Sequence, residues 1–263
     1  MHSNAFNRYR EKESFLHRLD PRVKVAATVA FIVSNALLPD GAWFAFAFAW
    51  AFLLACNLLS RLGASYTFKR SIIALPFALI AITVLFSVPG NPLAVFHFLN
   101  STFAITDAGL LRFASILVRS WLSVQMAILL VAVTRFPDLV HALEHLRVPA
   151  ILTTIIAFLY RYLFVLTDEV LRLLRARESR SAAAPGSRSG GGVAWRAKVA
   201  GNLAGQLFLR SYERSDRIHN AMLARGYAGR LYTLNPHEMR SKDYYAAAFA
   251  LAFVFLTQLI GRF

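Results

Sequence analysis

Two short motifs that place an arginine beside an alanine, each near a predicted helix end, are the strongest chemical signal in this sequence. They are Ala176-Arg177-Glu178 and Ala224-Arg225-Gly226. The alanine leaves room for close approach, and the planar arginine offers several N–H donors to a carboxylate. The repeated pattern predicts two helix tips that enter grooves on a two-fold pair of partners. The alternative is that each arginine simply favours a helix C-terminus because of the helix dipole.

A second motif could bind zinc. Residues 141–145 read H-A-L-E-H, which matches the H-x-x-E-H pattern of some zinc proteases. His141 and His145 would be ligands on one helix face, and Glu144 would be the general base. The sequence offers no clear third ligand, so a membrane metalloprotease built on these three residues remains an alternative.

Other catalytic patterns are missing from the sequence. It contains no Gly-Lys pair, which excludes a phosphate-binding P-loop, and we find no Ser-His-Asp or paired-carboxylate arrangement. The one cysteine, Cys56, excludes a disulfide framework and a cysteine metal cluster. We therefore expect a non-catalytic chain with no metal and no cofactor of its own.

The elements that position the two arginines must lie in or at a membrane. Apolar residues make up 57% of the chain, above the roughly 45–50% of soluble domains, and they occur in long blocks. These blocks predict five membrane-spanning helices. They are Val23–Leu38, Ala42–Leu59, Ser71–Val88, Gly109–Val133 and Tyr244–Ile260.

Two arginines interrupt the fourth block. Arg112 and Arg119 are seven residues apart and therefore share a helix face. We expect their side chains to reach the lipid headgroups. A role between subunits or in function is the alternative.

The basic residues predict the orientation. Lys and Arg total 29 against 14 acidic residues, and they concentrate in 1–24, 60–70 and 134–242, whereas 89–108 has none. Five spans with a cytoplasmic N-terminus put all three basic stretches inside, as the positive-inside rule requires. We therefore expect a multi-pass inner-membrane protein.

The long cytoplasmic stretch 134–242 divides the chain into three regions, 1–133, 134–242 and 243–263. Its pattern predicts helices at Phe136–Leu146, Ala150–Arg177 and Val193–Ala224, with a flexible linker at 181–192. The apolar segment Ala150–Leu166 competes for a sixth span, but the charge rule favours a helix at the cytoplasmic face. The basic character leaves a second alternative, a membrane anchor that binds lipid or nucleic acid.

Several segments of the chain resemble one family. They are Leu19–Lys24, Arg161–Leu166 with Asp168-Glu169, Arg175–Arg180 and Ala224–Gly226. The chain resembles the T component of energy-coupling factor (ECF) transporters, of the cobalt/nickel CbiQ/NikQ type.

This resemblance implies an all-α membrane fold with about five transmembrane helices and long cytoplasmic coupling helices. It implies that the two arginine motifs dock into two ATP-binding cassette ATPase subunits. It also implies a second membrane partner, the substrate-binding S subunit, and no nucleic-acid partner.

Overall fold

The structure is a computed structural model that describes residues 9–98, 101–180, 192–229 and 239–262. The chain divides into two compact units, which we call the bundle and the arms. The bundle comprises Arg8–Leu146 and Pro236–Phe263, and the arms comprise Met1–Asn7 and Arg147–Asn235.

The described elements are almost entirely helical, which confirms the predicted fold class. In chain order they are α1 (Phe15–Arg18), α2 (Pro21–Leu37), α3 (Trp43–Leu59), α4 (Ala64–Ser71), a 3-10 turn (Ile72–Ala74), α5 (Leu75–Ser87), β1 (Pro92–Phe98), β2 (Ser101–Thr106), α6 (Asp107–Val133), α7 (Phe136–His145), α8 (Ala150–Arg180), α9 (Val193–Ala224) and α10 (Ser241–Arg262).

The third apolar block is not one continuous helix. A 3-10 turn separates α4 from α5, and Pro76 is the second residue of α5. Proline has no N–H for the preceding helical turn, and its ring clashes with the carbonyl four residues earlier. The chain therefore starts a new helix here, where the apolar pattern alone predicted a single one.

The segment 89–108, predicted as a loop, contains a small β-hairpin. Strands β1 and β2 pair antiparallel, with His97 opposite Thr102 and Phe98 opposite Ser101. The segment is rich in β-branched and aromatic residues, which favour extended backbone. This hairpin is the one described departure from the all-α architecture.

Stacked phenylalanines hold the core of the bundle together. The ring of Phe253 in α10 stacks on Phe48 and Phe52 of α3, at centroid distances of 4.7 and 4.0 Å. Phe52 in turn stacks on Phe31 of α2 at 6.0 Å. Leu53 and Leu122 are completely buried beside them. The core therefore joins α2, α3, α6 and α10.

Polar side chains also bridge the bundle helices. The Asn35 amide of α2 donates to the carbonyl of Arg119 at 2.9 Å and to the Ser123 hydroxyl at 3.1 Å. The Gln258 amide of α10 donates to the carbonyl and hydroxyl oxygens of Ser34. Helices in lipid associate through such hydrogen bonds and close packing, because lipid tails are as apolar as the helix faces.

The two arginines of α6 face the turn between α2 and α3. Arg119 lies 2.8 Å and Arg112 lies 3.8 Å from the Asp40 carboxylate. The Arg119 side chain is only 19% exposed and also donates to the Leu38 carbonyl. Arg119 therefore joins α6 to this turn, and the expectation that both side chains reach lipid headgroups stays a prediction.

Two glycines allow close approach within the bundle. Gly41, with φ +82°, forms the turn after α2, and a left-handed φ is strained for other residues. A Cβ on Gly109 would lie 2.7 Å from the carbonyl oxygen of Leu85. Because Gly109 has no side chain, the start of α6 can pack against the end of α5.

Among the described residues, three helices are long and apolar enough to cross a membrane: α6, α8 and α10. Helix α3 is apolar but has only 17 residues. The prediction of five spans remains a prediction. Helix α8 meets the length and composition requirement, although the charge pattern favours its placement at the cytoplasmic face.

Candidate partner-docking site

The second arginine motif forms a sharply defined helix end. Helix α9 ends at Ala224, and the following Gly226 has φ +81°. The Gly226 N–H donates to the Leu223 carbonyl and the Tyr227 N–H donates to the Met222 carbonyl, both at 3.0 Å. This is the Schellman arrangement, which needs a residue that tolerates the left-handed conformation. The glycine therefore fixes the point at which Arg225 leaves the helix.

The first motif lies inside its helix instead of at its end. Helix α8 continues to Arg180, three residues beyond Arg177, so the predicted end was too early. No glycine follows Arg177 to stop the helix, and Glu178 is a good helix former. The two motifs therefore differ in local structure, although their sequences are alike.

Both arginine side chains are available to a partner. Arg225 is exposed and Arg177 is half-buried, while Ala176, Glu178, Ala224 and Gly226 are exposed. Within the described part of the chain, neither Arg177 nor Arg225 forms an ion pair. Each guanidinium therefore presents donors in the fork geometry that matches a carboxylate.

A buried carboxylate that the sequence reading did not single out joins α8 to α9. Glu169 of α8 is 9% exposed. One of its oxygens accepts from Arg210 of α9 at 2.9 Å, and the other accepts from Arg172 of its own helix. The neighbouring Asp168 of α8 and Asp216 of α9 are both exposed.

The Glu169–Arg210 ion pair gives a position on α8 and on α9 from which the distance to each arginine motif can be measured. Arg177 lies eight residues beyond Glu169, or about 12 Å along α8 at a rise of about 1.5 Å per residue. Arg225 lies fifteen residues beyond Arg210, or about 22 Å along α9 by the same rise. The ion pair therefore sits part-way along both helices, with an arginine motif beyond it on each.

The arms also expose large apolar side chains. On α8, Ile155 and Leu159 are 54% and 64% exposed, and on α9, Phe208 and Tyr212 are 68% and 66% exposed. None of the residues of α9 is buried along its length. Exposed apolar area of this extent marks surfaces that bind protein or membrane.

The histidine motif lies in the bundle, on α7. The His141 and His145 rings meet edge to face at 4.5 Å, and His145 Nδ1 lies 3.1 Å from the His141 carbonyl oxygen. Among the described residues, no group of three or more His, Cys, Asp or Glu side chains could hold a metal ion. The zinc hypothesis therefore gains no third ligand from this part of the chain.

Comparison with known proteins gives consistent matches over most of the chain. Residues 12–235 match the sequence model of the CbiQ family, described as cobalt transport protein. An uncharacterised protein of Methanocaldococcus jannaschii is 30% identical over 98% of this chain and 86% of its own length.

Two bacterial relatives carry a more informative name. The energy-coupling factor transporter transmembrane protein EcfT of Leuconostoc gelidum is 28% identical over 97% of both chains. The EcfT protein of Brevibacillus brevis is 28% identical over 86% of this chain and 85% of its own.

Proposed function

Because the chain belongs to the CbiQ family of cobalt transport proteins, we propose that it is the transmembrane coupling (T) subunit of an ATP-driven ECF importer. The observation that carries this proposal is the pair of arginines on the arms, Arg177 and Arg225, neither of which has an ion-pair partner among the described residues. An arginine on a helix surface that is free of internal partners suits a carboxylate-bearing groove on another subunit.

In this proposal each arginine motif docks into one ATP-binding cassette ATPase subunit. ATP binding draws the two ATPases together, and the motion pulls on α8 and α9 through Arg177 and Arg225. Because Glu169 binds Arg210, the two helices move as a connected pair. Such rigid-body motion of packed elements is a common form of two-state switching.

The substrate-binding S subunit is the second proposed partner. The exposed apolar side chains of the arms, including Ile155 and Phe208, offer a surface of the kind that such a contact needs. Phe158 and Leu163, which are half-buried on α8, belong to the same proposed surface. Movement of the arms would then tilt the S subunit and open its binding site.

The remaining parts of the proposal follow from the family and from charge. Cobalt, or the similar ion nickel, is the proposed solute, on the description of the family. The positive-inside rule supports an inner-membrane location with a cytoplasmic N-terminus. The chain itself performs no catalysis in this proposal, since the ATPase partners supply the chemical step.

Substitution of both motif arginines tests the proposal. We expect Arg177→Ala with Arg225→Ala to abolish copurification of the ATPase subunits and uptake of radioactive cobalt by cells. An arginine that anchors an interface contributes about 2 kcal/mol or more, or about 30-fold in affinity for each.

The matched control removes the same number of charges from the same helices. Arg175→Ala with Arg217→Ala deletes one exposed arginine from α8 and one from α9. This control should keep both ATPase copurification and uptake. Wild-type uptake and ATPase binding in the Arg177/Arg225 variant would refute the coupling role.

A further inference from the structure

An apolar groove opens in the bundle. It has a volume of about 630 Å³ and is lined by residues of α1, α2, α3, α6 and α10. The lining is almost entirely carbon, and Phe249, Ala250 and Cys56 are among its walls. Its volume lies in the range of sites that enclose small-molecule ligands, about 300–1,000 Å³.

Two lysines are the cationic groups in this otherwise apolar lining. Lys24 of α2 donates to the His17 carbonyl at 3.0 Å, and Lys242 lies in the first turn of α10. A purely apolar ligand would gain nothing from the charge of Lys242, which is an exposed residue. The groove therefore suits a ligand that has both an apolar body and an anionic group.

A second, polar cavity of about 650 Å³ adjoins the first. The two share Phe15, Leu19, Leu59 and Lys242 as common wall residues. The polar cavity is lined by four cationic side chains and two acidic ones. The cationic residues are Arg18, Arg61, Arg240 and Lys242, and the acidic residues are Glu13 and Asp243.

The two acids do not neutralise all of these cations. Glu13 pairs with Arg18 at 3.1 Å. The Asp243 carboxylate accepts from the backbone N–H groups of Asp20 and Arg240, both at 2.9 Å, so its oxygens are already engaged. Within the described residues, the side chains of Arg61, Arg240 and Lys242 form no ion pair.

From this joined pair of cavities we propose that the bundle binds one anionic phospholipid, with its phosphate in the cationic cavity and an acyl chain in the apolar groove. Basic pockets beside membrane helices are typical sites for anionic headgroups. A free phosphate would leave the apolar groove unused, and an apolar peptide would leave three cations unmatched. The site lies in the bundle, so it does not depend on ATPase docking by the arms.

The charge pattern also assigns this site to the cytoplasmic leaflet of the membrane. Arg18, Arg61 and Arg240 belong to the stretches that the positive-inside rule assigns to the cytoplasmic side. That leaflet carries the anionic lipids, and each Lys or Arg near its surface contributes about 1 kcal/mol of attraction.

Lipid retention by the purified full-length chain tests the proposal. The chain is exchanged into micelles that contain equal amounts of phosphatidylglycerol and phosphatidylcholine with the same acyl chains, and retained lipid is counted after gel filtration. We expect wild type to retain at least about fivefold more phosphatidylglycerol, since a single well-placed cation already provides that preference.

Matched variants assign the lipid to this site. Lys242→Gln should reduce the preference, because Arg61 and Arg240 remain, whereas Lys69→Gln, which deletes an exposed lysine on α4, should leave it unchanged. Ala250→Trp, which fills the groove without changing charge, should lower retention of both lipids while the melting temperature stays within a few degrees of wild type. Equal retention of the two lipids by wild type, or an unchanged preference in Lys242→Gln, would overturn the proposal.

Discussion

The bundle has a buried core that joins four helices, whereas the arms bury few side chains. In the bundle, the Asn35 and Gln258 amides donate to neighbouring helices and the Phe253 ring stacks inside the unit. In the arms, Arg177 and Arg225 have no ion-pair partner among the described residues, and no residue of α9 is buried. The difference indicates that packing stabilises the bundle, whereas the long faces of the arm helices stay exposed in this chain.

One acidic residue of the arms is an exception to this difference. Glu169 is buried and binds arginines of both α8 and α9. It connects α8 to α9 through Arg210, and we expect it to hold these two helices in position. Glu169 therefore forms one ion pair within α8 and a second one between α8 and α9.

The largest expected effect is in the bundle. Phe253→Ala removes two stacked ring pairs, worth together about 1–3 kcal/mol, and leaves a cavity in addition. We expect a lower unfolding midpoint in mixed lipid–detergent micelles, followed by tryptophan fluorescence. Phe255→Ala in the same helix is the control, because Phe255 is 70% exposed and should have little effect. If the two variants unfold alike, the bundle core is not where the structure has it.

The next effect, of intermediate size, is in the arms. Glu169→Gln keeps the shape of the side chain but removes the charge that binds Arg210 and Arg172. We expect bundle stability and ATPase copurification to remain, while solute uptake per ATP hydrolysed falls several-fold. A charge exchange, Glu169→Arg with Arg210→Glu, should restore part of the uptake. Unchanged uptake per ATP in Glu169→Gln would contradict a positioning role.

The smallest effect concerns the end of α9. Gly226→Ala forces a left-handed conformation on alanine, which costs about 1 kcal/mol, and should weaken ATPase binding by displacing Arg225. Gly205→Ala, within the same helix and with open space around the added methyl, should instead stabilise α9 by up to about 1 kcal/mol. Hydrogen exchange of the α9 amides measures both effects. We expect exchange to become faster in Gly226→Ala and slower in Gly205→Ala. If exchange changes in the same direction in both variants, Gly226 does not define this helix end.

Much of the helical framework was predictable from local sequence. The apolar blocks gave α2, α3, α6 and α10 to within a few residues, and Gly226 marked the end of α9. These features depend on composition, on caps and on turn residues, all of which act over a few positions. The family resemblance was confirmed by the match over residues 12–235.

The predictions of helix bounds that were wrong concern positions where two local preferences of the chain compete. Pro76 lies in an apolar block that looked like one helix, and the chain resolves this conflict with a 3-10 turn. The end of α8 was placed at Arg177 by analogy with α9, although no glycine follows to stop that helix. The docking role of the two motifs stays a prediction.

The sequence by itself determined that this chain needs a membrane, which segments are basic, and where two Ala-Arg motifs lie on long helices. Hydropathy, charge and helix capping are properties of neighbouring residues, so they can be read without a fold. Only the tertiary structure decided that Glu169 binds Arg210, 41 positions away, that Arg119 binds Asp40, and that an apolar groove adjoins a cationic cavity. Such contacts join residues far apart in the chain, and no local pattern specifies which side chains will meet when the helices pack.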